Sequence, residues 1–165
     1  MRLFVAINFS ATTQARLVEL QDELRARCVK GSFSHLENLH LTLAFLGEVA
    51  PDRLASVQAA LAGITFQPFE LTIERVGCGR ALWWAGVAPS QPLMTLQRAI
   101  ARELRASDID FDQRAYKPHI TLAREVIGDV APWQFAPFGE QVSGFDLMLS
   151  QRLDGRLTYT PVQHL

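Results

Sequence analysis

The sequence predicts a fold of helices and strands in two similar lobes that enclose a cleft. Its 165 residues suit one domain or two tightly packed lobes. A motif of His-apolar-Thr-Leu-Ala occurs twice, beginning at His40 and at His119. Each copy follows a predicted strand, helix and loop. The spacing of 36 positions from Phe4 to His40 returns from Trp83 to His119. A repeat of this kind predicts two equivalent lobes, each carrying one motif.

Apolar periodicity and chain breakers place the elements of the first half. The first helix rests on leucines at helical spacing, Leu17, Leu20 and Leu24, with charged residues between them. The predicted elements, in order, are a strand at Leu3–Phe9, a helix at Ala11–Arg27 capped by Ser10, a loop at Val29–Glu37, the first His-x-Thr strand ending near Gly47, a helix at Asp52–Leu61, and an alternating strand at Phe69–Val76.

The second half repeats the opening order. The predicted elements are a turn at Gly77–Gly79, a strand at Ala81–Val87, a helix at Leu93–Ala106, a polar loop at Asp108–Lys117, the second His-x-Thr strand, an irregular segment at Val126–Gly144, and strands at Phe145–Gln151 and Arg156–Val162 joined by the hairpin signal Asp154-Gly155. No long flexible segment separates the halves. We therefore expect one bilobal domain over residues 1–165, with pseudo-repeats of roughly 1–77 and 78–165.

Composition excludes several classes of function. The net charge of −1 does not fit a polycation that coats nucleic acid. The 14 arginines against 2 lysines favour planar contacts with phosphate, although genome composition also produces this bias. Cys28 and Cys78 form no CxxC pair, which predicts two reduced thiols. The sequence has no apolar run of membrane-spanning length and no signal-peptide pattern, so we expect a cytoplasmic protein without membrane contact.

Strict alternation puts His40 and Thr42 on one face of their strand, and His119 and Thr121 on one face of theirs. One neutral imidazole could accept a proton while the other, protonated, donates one. The hydroxyls could hold an anionic group between them, which suits in-line attack on a phosphodiester. Two structural histidines in a duplicated sheet are the alternative. The residues alone leave acid and base interchangeable.

Other site types find little support. Zinc needs three or four ligands, and the remaining histidines, His35 and His164, lie in no ligand-spaced cluster, so we expect no metal site. Gly-rich phosphate loops and serine-hydrolase motifs are absent from the sequence. Four aromatic residues could stack nucleobases or belong to the core: Phe9, Trp83, Trp84 and Trp133.

The chain resembles the 2H phosphoesterase superfamily, and within it the RNA 2′,3′-cyclic phosphodiesterases, long known as the 2′-5′ RNA ligase family. The resemblance covers nearly the whole chain. It is carried by the segments Arg2–Ile7, Asn38–Gly47, Lys117–Arg124 and Tyr159–Pro161.

This resemblance implies an α+β bilobal pseudo-symmetric fold, with two antiparallel sheets flanking a central cleft and helices outside. It implies cofactor-free and metal-independent hydrolysis of an RNA 2′,3′-cyclic phosphate to a 2′-phosphate. By position, His40 matches the proton donor, His119 the proton acceptor, and Thr42 and Thr121 the hydroxyls that bind the phosphate. Arg124 matches an arginine that either contacts the phosphate or forms a structural salt bridge.

The implied partner is an RNA or nucleotide with a 2′,3′-cyclic phosphate, tRNA fragments included, and we expect a monomer. Two alternatives remain. One is 2′-5′ RNA ligation of tRNA halves, which is the chemical reverse with a 5′-hydroxyl RNA as nucleophile. The other is an RNA- or nucleotide-binding module without turnover.

Overall fold

The computed structural model describes all 165 residues. Its elements are β1 (Arg2–Asn8), α1 (Ala11–Arg27), β2 (Lys30–Phe33), β3 (His40–Glu48), α2 (Leu54–Ala62), β4 (Phe69–Gly79), β5 (Leu82–Val87), α3 (Gln91–Ala106), β6 (His119–Ile127), β7 (Trp133–Val142), β8 (Asp146–Leu153) and β9 (Arg156–His164), with single 3-10 turns at Leu36–Asn38 and Pro51–Arg53. No helix combines the length and apolarity that a membrane crossing requires.

The strands form one sheet, which corrects the expectation of two separate sheets. Of its nine antiparallel strands, eight follow the order β7-β4-β5-β6-β3-β1-β8-β9, and the ninth, β2, pairs with β6. The two central strands, β3 and β6, meet in a single residue pair, Leu41 with Ile120. The sheet therefore consists of two four-stranded wings joined at one point, and the α+β character of the fold is confirmed.

The wings have equivalent strand orders. On one side of the junction β3 is followed by β1, β8 and β9, and on the other side β6 is followed by β5, β4 and β7. The wing that contains β3 combines the two ends of the chain, because β8 pairs with β1. The wing that contains β6 consists of β4, β5, β6 and β7, which are consecutive in the sequence.

The apolar face of the sheet packs against the helices. α1 contacts β2, β6 and β7, whereas α3 contacts β3, β4 and α2. The predicted leucines Leu17, Leu20 and Leu24 of α1 are buried, and the main core is one cluster of 34 buried residues. Ser10 caps α1 as predicted, since its side chain accepts a hydrogen bond from the Thr13 amide.

Three local predictions were wrong. The segment predicted as a loop at Val29–Glu37 contains β2, and the segment predicted as irregular at Val126–Gly144 contains β7. Gly77–Gly79 is part of β4 rather than a turn, and the chain reverses at Arg80 and Ala81, both with positive φ. Gly77 is needed within the strand because the Trp84 indole lies against it, so closely that an added Cβ would come within 2.2 Å of the ring.

Candidate active site

The two His-x-Thr segments meet where the two wings join. Leu41 and Ile120 pair in the antiparallel ladder and are fully buried on the helix side. The same register sets His40 opposite Thr121, and Thr42 opposite His119. These four partly exposed side chains project from the other face of the sheet into one cleft of about 1050 Å³. The structure therefore brings both predicted motifs together around a local two-fold axis.

Both imidazole rings are held in the same way. His40 Nδ1 lies 2.7 Å from the carbonyl oxygen of Asn38, and His119 Nδ1 lies 2.8 Å from that of Lys117. A carbonyl only accepts hydrogen bonds, so each Nδ1 carries the proton and donates it. The Nε2 atoms are then the positions that gain or lose a proton, and the Nε2 of His40 lies 3.0 Å from the Thr42 hydroxyl.

His40 sits in an aromatic environment. Its ring centroid is 4.9 Å from that of Phe4 and 5.2 Å from that of Tyr159, which meets it edge-on. The pKa of His40 is lowered, chiefly because burial disfavours the charged ring. The Asn38 carbonyl opposes this shift, and the nearby positive charges of His119 and Arg124 add to it. In the absence of an anion, the His40 ring therefore favours its neutral form.

Two β-bulges determine which side chains beyond the two motifs line the cleft. In β3 the register against β1 shifts at Leu43 and Ala44, and in β6 the register against β5 shifts at Leu122 and Ala123. Both residues of each pair point into the core and are buried or nearly so. The extra residue reverses the alternation. The next side chain of each strand, Phe45 in β3 and Arg124 in β6, consequently lines the cleft.

The matching positions differ in chemistry. Phe45 is 38% exposed, and the guanidinium of Arg2 lies over its ring at 5.2 Å from the centroid. Arg124 forms no ion pair with a carboxylate, and its charge acts on both His40 and Tyr159. The pKa of Tyr159 is raised by burial, while Arg124 and Arg2 act to lower it. At the matching positions, the strand β3 thus presents an aromatic ring with the Arg2 guanidinium over it, and β6 presents a guanidinium of its own without a carboxylate partner.

Polar side chains from neighbouring elements fix the backbone of the site. Tyr116 donates a hydrogen bond of 2.8 Å to the Thr42 carbonyl, and burial raises the pKa of its hydroxyl. Ser34 donates to the Thr121 carbonyl at 3.1 Å. The buried amide of Gln21 donates to the carbonyls of Ser34 and Leu122 at 2.8 and 2.9 Å. The backbone beside each threonine is therefore anchored by a hydrogen bond from another element.

All five predicted site residues line this cleft: His40, Thr42, His119, Thr121 and Arg124. The structure adds Phe45 and Tyr159, which the sequence argument did not select. Aligning the two copies of the motif would have found Phe45, because it stands five residues after His40 as Arg124 does after His119. Of the aromatic candidates, Phe9 and Trp83 are buried in the core. Nowhere do three or more His, Cys, Asp or Glu side chains cluster as a metal would require.

The chemistry available in the cleft follows from these positions. Two imidazoles related by a local two-fold axis can face opposite sides of one bound group. Two hydroxyls and a guanidinium can hold an anion between them. An arrangement of this kind suits acid–base chemistry at a phosphate ester.

The chain is similar to known proteins over most of its length. The model of a family described as LigT like Phosphoesterase matches residues 7–81. The chain is 32% identical to an RNA 2′,3′-cyclic phosphodiesterase of Archaeoglobus fulgidus, with 91% of each chain covered. It is 30% identical to the enzyme of that name in Escherichia coli, with 88% of this chain and 91% of the relative covered. The crystal structure of E. coli LigT complexed with 3′-AMP superposes with a TM-score of 0.85 at 28% identity, covering 99% and 96% of the two chains.

Proposed function

The chain belongs to the LigT-like phosphoesterases, the two-histidine family of the RNA 2′,3′-cyclic phosphodiesterases, and from that premise we propose that it hydrolyses RNA 2′,3′-cyclic phosphate ends to 2′-phosphates. One observation carries the proposal. The two histidines flank a local two-fold axis, with Nδ1 protonated and Nε2 available in both. The reaction needs one proton acceptor and one proton donor on opposite sides of the phosphorus, and this pair can supply both.

In the proposed reaction, His119 Nε2 accepts a proton from water while the water oxygen attacks phosphorus. The bond from phosphorus to O3′ breaks, and His40, protonated at Nε2, donates its proton to O3′. The product carries a 2′-phosphate and a free 3′-hydroxyl. The roles of acid and base follow the family resemblance. The hydroxyls of Thr42 and Thr121 and the guanidinium of Arg124 stabilise the charge on the equatorial oxygens.

The lowered pKa of His40 fits this scheme once the substrate is bound. Its neighbours His119 and Arg124 disfavour a proton on the ring of the free protein. A cyclic phosphate brings a negative charge among the same groups, and an adjacent anion favours the protonated imidazole. The substrate therefore helps to charge its own proton donor. The Phe45 ring, which is 38% exposed and has the Arg2 guanidinium over it, offers aromatic surface against which the terminal base packs.

A dinucleotide that ends in a 2′,3′-cyclic phosphate tests the proposal. We expect it to gain one water and yield a 2′-phosphate, with a bell-shaped pH profile and undiminished rate in EDTA, because no step passes through a metal. His40→Ala and His119→Ala should each reduce kcat/KM by about 10²- to 10⁴-fold. His164→Ala is the matched control, because this 77% exposed ring lies outside the cleft.

The results that would contradict the proposal are specific. Full activity in either cleft variant would overturn the assignment of donor and acceptor. Binding of the dinucleotide without any turnover by the unmodified protein would instead support a binding module. A 3′-phosphate product would mean that the other ester bond breaks.

A further inference from the structure

The cleft extends well beyond the four motif residues. Its volume of about 1050 Å³ is at the upper end of pockets that enclose a whole small ligand. From His40 it continues across β1 to the hairpin of β8 and β9, where Arg2, Ser150, Arg152 and Arg156 line it. We call this extension the arm of the cleft. A single terminal nucleotide does not account for it.

The arm is strongly cationic although the whole chain carries a charge of −1. The cleft is lined by five cationic groups, namely the amino group of Met1 and the side chains of Arg2, Arg124, Arg152 and Arg156, and by one carboxylate, that of Glu48. The Met1 amino group and Glu48 lie 3.5 Å apart and offset each other. An excess of arginine charge remains, which favours an anion with more than one phosphate.

The arginines of the arm differ in how many of their hydrogen-bond donors are already used. Arg2 lies over Phe45, and Arg156 donates to the carboxylate of Glu37. Arg152 donates only to the carbonyl of Gly155, at 3.3 Å. It stands at the tip of the hairpin with most of its donors free, and a planar guanidinium is well suited to bind a phosphodiester.

We propose that this arm binds the phosphodiester on the 5′ side of the terminal nucleotide, and that Arg152 is its principal contact. The inference rests on the proposed function and deepens it, because it assigns a residue that contacts the RNA chain beyond its terminal nucleotide. Proteins that bind single-stranded nucleic acid combine a basic groove with aromatic surfaces. Here Arg152 supplies the basic contact, and Phe45 supplies the aromatic surface.

The first test compares two substrates of the unmodified protein. Adenosine 2′,3′-cyclic phosphate lacks an internal phosphodiester, and the dinucleotide ApA with a 2′,3′-cyclic phosphate has one. We expect a higher kcat/KM for the dinucleotide. We also expect a steeper fall with salt, by about 0.7 in the slope of log kcat/KM against log salt concentration, which one additional phosphate contact on a single strand produces.

Variants then locate the contact. Arg152→Ala should lower kcat/KM for the dinucleotide about 3- to 10-fold and remove the extra salt slope, with little effect on the mononucleotide. Arg152→Lys should keep the salt slope, because it keeps the charge. Arg98→Ala is the matched control, since it removes one exposed positive charge from α3, outside the cleft.

The outcomes separate this inference from the proposed function. Equal kcat/KM for the two substrates, or an equal effect of Arg152→Ala on both, would overturn the inference and leave the hydrolase intact. Absence of hydrolysis of both substrates would overturn the proposed function. Calorimetry with 2′-AMP and with ApA 2′-phosphate would then decide the inference by itself. Tighter binding of the dinucleotide that Arg152→Ala abolishes would support it, and equal binding would refute it.

Discussion

Gln21 joins helix α1 to Leu122 of the Thr121 strand and to Ser34 directly after β2, and its replacement should lower the stability of the fold measurably. Its side-chain amide is 4% exposed, and both of its N–H groups are used, toward the carbonyls of Ser34 and Leu122. Leucine at this position would keep the volume but remove both donors. The Leu122 carbonyl would still accept from the Ser34 amide at 3.0 Å, whereas the Ser34 carbonyl would lose the amide donor.

The size of the effect follows from these partners. Loss of one hydrogen bond whose acceptor keeps another partner costs about 1 kcal/mol, and a carbonyl left without a donor in a partly buried place costs about 1–2 kcal/mol more. We therefore expect Gln21→Leu to lower the free energy of unfolding by about 2–3 kcal/mol. Urea denaturation followed by circular dichroism measures this change directly.

Gln21→Glu sharpens the test, because a carboxylate would face the two carbonyl oxygens. The variant should keep its glutamic acid protonated in the folded state, so the folded pKa lies above the unfolded value of about 4.3. The folded state then binds more protons than the unfolded state above that pH. Stability should fall by up to about 1.4 kcal/mol for each pH unit until the folded pKa is reached. Gln14→Glu, on the same helix and without a side-chain hydrogen bond, should show no such fall.

A change below about 0.5 kcal/mol for Gln21→Leu, a value typical of neutral surface substitutions, would refute this account of the anchor. A flat pH dependence for Gln21→Glu would refute it independently.

Three further predictions concern the site and its frame. The carboxylate of Glu140 accepts from the Ser10 amide and hydroxyl and from the Thr13 hydroxyl at the start of α1, so Glu140→Gln should cost about 1 kcal/mol in urea denaturation; an unchanged midpoint would contradict this. In NMR titrations the pKa of His40 should lie below 6.5. Both 2′-AMP and Arg124→Ala should raise this pKa, because the ligand adds a negative charge and the substitution removes a positive one. A fall of the pKa in either case would contradict the electrostatics. Because the folded pKa of His40 is lowered, the unfolded chain binds more protons just below pH 6.5, so stability should decline as the pH falls through this range, and His40→Gln should reduce that decline.

The sequence predicted the motif strands well because their signals are local. Alternation in β3 and β6 and leucine spacing in α1 depend only on neighbouring residues, and the structure has these elements where they were expected. The union of the two wings depends on one long-range pair, Leu41 with Ile120, which no local pattern reveals.

The sequence patterns did not predict the strands β2 and β7, and physical reasons explain why. β7 lies at the edge of the sheet and contains Pro137, a residue that edge strands and bulges tolerate, and its register against β4 shifts at that point. β2 is four residues long and includes Gly31, which weakens any strand signal. Strict alternation also fails at the two bulges, so it cannot place Phe45 and Arg124 on the face that their motifs occupy.

The paired bulges give the cleft a direction. Two identical halves would let a ligand sit in either of two equivalent orientations, and one of them would exchange the tasks of the two histidines. Phe45 and Arg124 occupy matching positions with opposite chemistry. A ligand with an aromatic ring at one end and an anionic group at the other therefore meets two unequal sides. The duplicated frame supplies the symmetry, and unequal side chains at matching positions supply a polarity that orients the ligand.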